Sequence, residues 1–220
     1  MGFIRQKSLF SRRAVNKLIE LYAKKDNWHN IDKNKGNLGY GWFHYSLIRI
    51  LQPKRILVIG SRYGYIPAIC AVACKDNNKG RVDFVDAGYD FRKADHRKHW
   101  GGIGFWKKIK PAEHFGKFSL ERHISGYIMT SYEFSKKHPQ RLWGYINIDG
   151  DHSYEGVKFD FETFWPRLEK GGFLSLHDIY TRQPGGYKYG VHKYWRELKG
   201  NYSNTLELPG EFGLGLVQKL

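Results

Sequence analysis

Short apolar runs alternate with helix-forming stretches from residue 40 onward, and this alternation constrains the fold more than any other feature of the sequence. Residues 55–60 (RILVIG), 81–88 (RVDFVDAG), 143–149 (WGYINID) and 172–179 (GFLSLHDI) are brief and strongly apolar, as a strand buried on both faces must be. A further strand is expected near 120–125. Between them the spacing predicts helices over 40–51 (ended by Pro53), 65–74 (with Pro67 in the first turn), 129–138, 153–169 and 191–198. Ser153 is the expected N-cap of the fourth of these, and Gly171-Gly172 its stop. Such alternation predicts an α/β fold, a parallel sheet with helices on both faces. The last two runs, 205–208 and 214–220, are joined only by PGEFG, which is long enough for an antiparallel hairpin but not for a parallel crossover. Ahead of the sheet, Ser11 can cap a helix over 12–25 with Val15, Leu18, Ile19 and Tyr22 on one face, an N-terminal helical arm. With no internal repeat or linker, 1–220 reads as one domain, with the arm over 1–37 and the core over 38–220.

Composition narrows the function classes. Hydrophobic residues make up 41% of the 220, enough for a core, yet no run approaches the roughly 20 apolar residues a bilayer span requires. The N-terminus has no apolar signal region, so a soluble, cytoplasmic protein is expected. Cys70 and Cys74 lie in AICAVAC, which reads as a buried helix with both thiols reduced. The formal charge is +16 and is unevenly placed. Residues 1–60 carry 12 Lys/Arg against 3 Asp/Glu, residues 61–118 carry 12 against 6, and the remainder 13 against 12. The basic half is either a solvated face or the mark of an anionic acceptor or partner.

Parallel sheets bind ligands beyond the carboxyl ends of their strands, so the residues there carry the chemistry. Gly60-Ser61-Arg62-Tyr63-Gly64 follows the first strand, a tight turn that lets backbone approach a ligand; it is neither GxGxxG nor a P-loop. Asp86 ends the second strand, where a carboxylate can accept both hydroxyls of a ribose; Asp83 is mid-strand and less suited. Asp149-Gly150-Asp151-His152 ends the next, placing two carboxylates and an imidazole at the binding edge, and His177-Asp178 ends the one after. Asp149, His177 and Asp178 make a candidate divalent-metal site, for Mg2+ if oxygen dominates and for a transition ion if the imidazole counts. The basic, aromatic stretch 89–118 is either partly helical or a lid. Its HWGGIGFW offers Trp100, Phe105 and Trp106 as flat surfaces for an acceptor ring, or as a structural aromatic cluster. His192 reads as packing.

GSRYG, IDGDHSYEGV and GGFLSLHDI resemble the class I S-adenosylmethionine (SAM)-dependent methyltransferases. They are most similar to the small-molecule O-methyltransferase branch with the catechol, caffeoyl-CoA, macrolide and aminocoumarin sugar enzymes and the cephalosporin-biosynthesis homologue. The resemblance covers roughly 38–220. It implies a Rossmann-like seven-stranded sheet, mostly parallel with a C-terminal antiparallel hairpin. Gly60, Ser61, Tyr63 and Gly64 would then line the methionine part of SAM, Asp86 would hold its ribose and Asp149 would border it. Two departures stand out. His177 occupies a position where relatives carry Asp or Glu, leaving a metal-free site or another metal open beside Mg2+, and Val58 stands where many carry Glu. The implied reaction is in-line attack of an acceptor hydroxyl on the sulfonium methyl, with Asp151 or His152 as the base. The expected acceptor is a sugar or natural product, anionic if the basic half serves it, and the arm suggests a homodimer. Alternatives are an RNA methyltransferase and a non-catalytic scaffold that keeps the fold; contact of the arm with a membrane surface is unsupported.

Overall fold

The computed structural model describes residues 11–24, 27–90, 103–182 and 189–220. Within them a seven-stranded sheet has the order β3-β2-β1-β4-β5-β7-β6, built from β1 (Arg55–Ile59), β2 (Arg81–Asp86), β3 (Ile124–Ile128), β4 (Trp143–Ile148), β5 (Leu168–His177), β6 (Thr205–Leu208) and β7 (Leu214–Gln218). The first five strands pair in parallel, and β7 runs antiparallel between β5 and β6. This is the mostly parallel α/β sheet with a terminal hairpin that the sequence predicts.

The helices are α1 (Arg12–Leu18), α2 (Tyr40–Leu51), α3 (Tyr65–Asp76), α4 (Phe105–Lys108), α5 (Pro111–Gly116), α6 (Ser131–Lys137), α7 (Tyr154–Phe164) and α8 (Val191–Asn201). One sheet face packs against the arm, α2, α3 and α5; the other packs against α6, α7 and α8. The arm is no loose appendage. Val15, Leu18, Ile19 and Tyr22, the predicted face, are all buried, and the Tyr22 hydroxyl reaches the carbonyls of His114 and Phe115.

Several boundaries differ from expectation. The arm helix is α-helical only to Leu18, widens into a π-turn over Ile19–Ala23 and ends at Lys24, whose φ of +58° breaks it. The predicted helix 153–169 stops at Phe164, because Pro166 has no N–H to continue it and leaves one 3-10 turn. Gly171-Gly172 is therefore no helix stop; it lies within β5, where the Gly171 N–H donates to Lys219 and Gly172 accepts from it. The strand expected at 120–125 begins at Ile124, after a turn closed by His123 N–H on Leu120.

Register sets up the site. Ile59 pairs with Val85 and Ile148, and Ile148 with Leu176. Gly60, Asp86, Asp149 and His177 therefore emerge side by side at one edge. Asp83, the rival to Asp86, is consumed elsewhere. Fully buried, it accepts from Trp143 Nε1 (2.9 Å) and pairs with Arg141 (3.2 Å) and Arg55 (3.6 Å). Removing its carboxylate leaves the Trp143 N–H unpaired in the core, at a cost of about 1 to 3 kcal/mol, while the partly exposed Arg141 and Arg55 are met by solvent. Asp83→Ala should lower unfolding stability by about that amount in urea titration, and Asp83→Asn, which still accepts from Trp143, by less.

Candidate active site

The carboxyl edge of the sheet opens into a cavity of about 830 Å3. Its wall includes Gly60, Ser61 and Tyr63 after β1, Asp86 after β2, Met129–Tyr132 after β3, Asp149–His152 after β4 and Asp178 after β5. The volume is in the range of sites that enclose small molecules.

The glycine loop is held from beneath. Gly60 adopts φ +75°, and a Cβ there would sit 2.1 Å from the Asp149 carbonyl oxygen, so only glycine lets the β1 and β4 termini touch. Trp106 Nε1 donates to the Ser61 carbonyl (2.9 Å) and His114 Nε2 to that of Tyr63 (2.9 Å). Gly64 faces these aromatics rather than the cavity: a Cβ on it would meet Phe115 at 2.8 Å and Trp106 at 3.1 Å.

This placement corrects the acceptor-loop expectation for two residues. Trp106 is buried and stacked on Phe115, and Phe105 packs on Trp106, Tyr63 and His114; neither lines the cavity. Their stretch became structural because the loop needs an apolar floor that can also donate to its carbonyls. Trp100 lies outside the described residues. Aromatic walls come instead from Trp28, Tyr189 and Phe212, which lie in segments without a recognisable motif.

Asp86 accepts from the N–H groups of Ser61 (3.1 Å) and Gly88 (2.8 Å), so its carboxylate is fixed in orientation. Burial pushes its pKa up to about 6, despite those two hydrogen bonds. Asp151 lies over the start of α7, its Oδ1 accepting from Ser153 N–H (2.9 Å), while Ser153 Oγ caps the helix by accepting from Gly156 N–H.

The other cluster gathers what the sequence placed at adjacent strand ends. Asp149 Oδ1 lies 3.3 Å from both His177 Nδ1 and His152 Nε2; Asp178 Oδ2 lies 3.4 Å from His177 Nδ1 and 2.6 Å from His152 Nε2. Asp178 turns inward through a left-handed φ of +65°, with Oδ1 accepting from the Thr181 hydroxyl (2.7 Å). Burial disfavours every charge here. The opposite charges outweigh it, holding Asp149 and Asp178 ionised and raising the imidazoles of His177 and, to about 9, His152.

One member had no signal in the sequence. His29 enters from the loop before α2, its Nε2 3.7 Å from Asp149 Oδ2 and its ring 4.4 Å from that of His177. Burial drives its pKa down to about 3, so it is neutral. His177 Nε2 donates to the Trp28 carbonyl (3.0 Å), which turns Nδ1 toward the two carboxylates. That nitrogen is buried 3.3 and 3.4 Å from the two carboxylates, in a gap where a cation would take the place of its proton. The donor set thus fits a divalent ion.

Asp160 on α7 was also missed. It is 2% exposed, lines the cavity and has no hydrogen-bond partner on Oδ1, and burial raises its pKa from 3.8 to about 7. The folded protein therefore keeps a proton that the unfolded chain has released, and stability from this group falls as pH rises from about 4 to about 7. Asp160→Asn should melt higher than the wild type at pH 8, with the gap closing as pH approaches 4 in thermal scans.

A family model described as a methyltransferase domain matches residues 57–179. The curated protein y4gI of Sinorhizobium fredii (strain NBRC 101917 / NGR234), itself uncharacterised, is 26% identical over 191 residues, which is 86% of this chain. The chain spans about a fifth of that relative's length (20%). Among solved structures, the O-methyltransferase TomG of Streptomyces achromogenes, involved in tomaymycin synthesis and in complex with SAM, superposes with a TM-score of 0.62 at 14% identity, covering 94% of this chain and 89% of that one. The Bacillus cereus O-methyltransferase in complex with SAH gives 0.57 at 18%, covering 99% and 93%. The SAH-bound Podospora anserina methyltransferase PaMTH1 gives 0.60 at 14%, covering 100% and 98%. At these identities the superpositions establish a shared fold.

Proposed function

Because the chain belongs to this methyltransferase-domain family, we propose that its cavity binds SAM and that the protein transfers the methyl group to a hydroxyl of a small molecule. The observation that carries the reading is that one cavity holds the glycine loop and Asp86 on one side and Asp149, Asp151 and His152 on the other. The first group suits an adenosine-containing cofactor, and the second can orient a hydroxyl and take its proton. When bound, SAM supplies the electrophilic methyl and a divalent cation supplies a Lewis acid that lowers the pKa of a hydroxyl.

The chain's own residues do the rest. Asp86, oriented by two backbone N–H groups, accepts the ribose hydroxyls. Gly60, Ser61 and Tyr63 hold the amino-acid end, with Trp106 and His114 fixing the loop so that its geometry is set before binding. Asp149 borders the cofactor and, with His177, would hold the cation, with Asp178 beside them. His152 is tied to Asp178 at 2.6 Å and carries a proton at neutral pH, so it orients and donates. Asp151, exposed at the cavity wall, is then the group that receives the acceptor's proton. Arg62, on the wall with its guanidinium 4.6 Å from the Trp28 ring, supports an anionic acceptor. Among the described residues no helix is long and apolar enough to cross a membrane. Cys70 and Cys74 are buried and unpaired, which supports a reducing, cytoplasmic setting.

Calorimetric titration with SAM, with NAD as a control, tests this. SAM should bind and NAD should not; absence of SAM binding overturns the reading. Asp86→Asn loses a hydrogen bond to a charged acceptor and should bind SAM about 10- to 100-fold more weakly. Because Asp86 titrates at about 6, wild-type affinity should fall as pH drops through that value, while the Asn variant stays flat.

A further inference from the structure

The His/Asp cluster holds more nitrogen than a Mg2+ site uses. His29, Asp149 and His177 each present one ligand atom, and these atoms lie within 4.8 Å of one another. Ligand atoms bound at about 2.1 Å to one ion stand about 3.0 to 3.4 Å apart, from simple octahedral or tetrahedral geometry. The spacings here approach that range: 3.3 Å from His177 Nδ1 to one Asp149 oxygen, Oδ1, and 3.7 Å from His29 Nε2 to the other, Oδ2, with Asp178 Oδ2 3.4 Å from His177 Nδ1. The 2.6 Å contact of His152 Nε2 with Asp178 Oδ2 is too short for two ligands of one ion and is a charge-assisted hydrogen bond instead.

The His177 imidazole is already turned for ligation. Its Nε2–H is spent on the Trp28 carbonyl, so Nδ1, in a side chain 3% exposed, is left facing the Asp149 and Asp178 carboxylates at 3.3 and 3.4 Å. Carbonyl-anchored imidazoles of this kind are typical of metal ligands, because the distal bond fixes tautomer and orientation. The residue that follows Trp28 is His29. One loop therefore both orients His177 and delivers a second imidazole. That loop is tied to the core: the Tyr40 N–H donates to the His29 carbonyl (2.8 Å), and the Tyr65 hydroxyl donates to Leu38 (2.6 Å). Gly39 permits the return, since a Cβ there would lie 1.9 Å from the His29 carbonyl oxygen.

We propose that His29, Asp149 and His177 form a two-imidazole, one-carboxylate site for a first-row transition ion, with Asp178 beside it and His152 positioning Asp178. Mg2+ favours an all-oxygen octahedron and keeps much of its water, whereas imidazole nitrogens favour the later divalent ions. The ion also fastens the loop before α2 to the ends of β4 and β5. This deepens the methyl-transfer reading of the same cavity and rests on it for catalytic meaning, while ion binding itself is measured without SAM or acceptor, so either can fail alone.

The test uses the full-length protein stripped with chelator and then freed of it. Co2+ is titrated by its visible d–d absorption and Mg2+ by calorimetry. Co2+ should bind at least about 100-fold more tightly than Mg2+. His29→Ala and His29→Gln should each weaken Co2+ by about 10-fold or more, and weaken Mg2+ by less. Circular dichroism checks that both variants are folded, and the Gln variant, which retains size and polarity, carries the test if the Ala variant is not. X-ray absorption of the Co2+ protein should count two imidazoles, falling to one in the variants. Equal affinities for Co2+ and Mg2+, no Co2+ binding, or undiminished Co2+ binding in a folded His29 variant would overturn the proposal.

Discussion

Asp149 is a carboxylate buried at the end of a central strand, and the charge it carries there has to be compensated. An isolated buried carboxylate would take up a proton rather than remain ionised. The surrounding imidazoles of His177 and His152, both raised by their carboxylate neighbours, keep it charged, and neutral His29 closes the remaining side. Much of the neighbouring structure is arranged to hold them. Asp178 accepts a left-handed backbone to bring a second carboxylate in, Thr181 steadies it, and the Trp28 carbonyl fixes His177. The close approach of Gly60 to the Asp149 carbonyl joins this cluster to the glycine loop, so the two halves of the cavity share one rigid seam.

A second dependence runs beneath the loop. Its carbonyls at Ser61 and Tyr63 point away from the cavity and need donors, which Trp106 and His114 provide from α4 and α5. Those helices are in turn covered by the arm, through Tyr22 stacked on Phe115 and the Lys24 ammonium 4.0 Å from the Tyr63 ring centre. The arm, the two short helices and the loop form one packed column. A change in any of them reaches the glycine-loop end of the cavity by contact.

Local patterning carried the strand ends because it is contiguous in sequence. Alternating apolar runs and the turn-length limit on PGEFG determined a parallel sheet with a final hairpin. Asp86, Asp149, His177 and Asp178 were legible as site candidates because each ends or immediately follows a strand. Helix ends were less legible: Pro166 and Lys24 ended helices for local backbone reasons that the apolar periodicity had masked. Phe105 and Trp106 look the same in sequence whether they face a ligand or a core, since an aromatic ring suits both.

The sequence by itself determined the class of fold, the edge at which chemistry occurs and the residue types at that edge, all of which follow from local order and short spacing. Only the tertiary structure decided that Gly64 and Trp106 serve the loop's underside, and that His29 and Asp160 reach the cavity. His29 lies 120 residues before Asp149 in the chain and meets it only because the loop before α2 folds back over the sheet. Contacts between distant segments are set by how whole elements pack, and no local pattern encodes them.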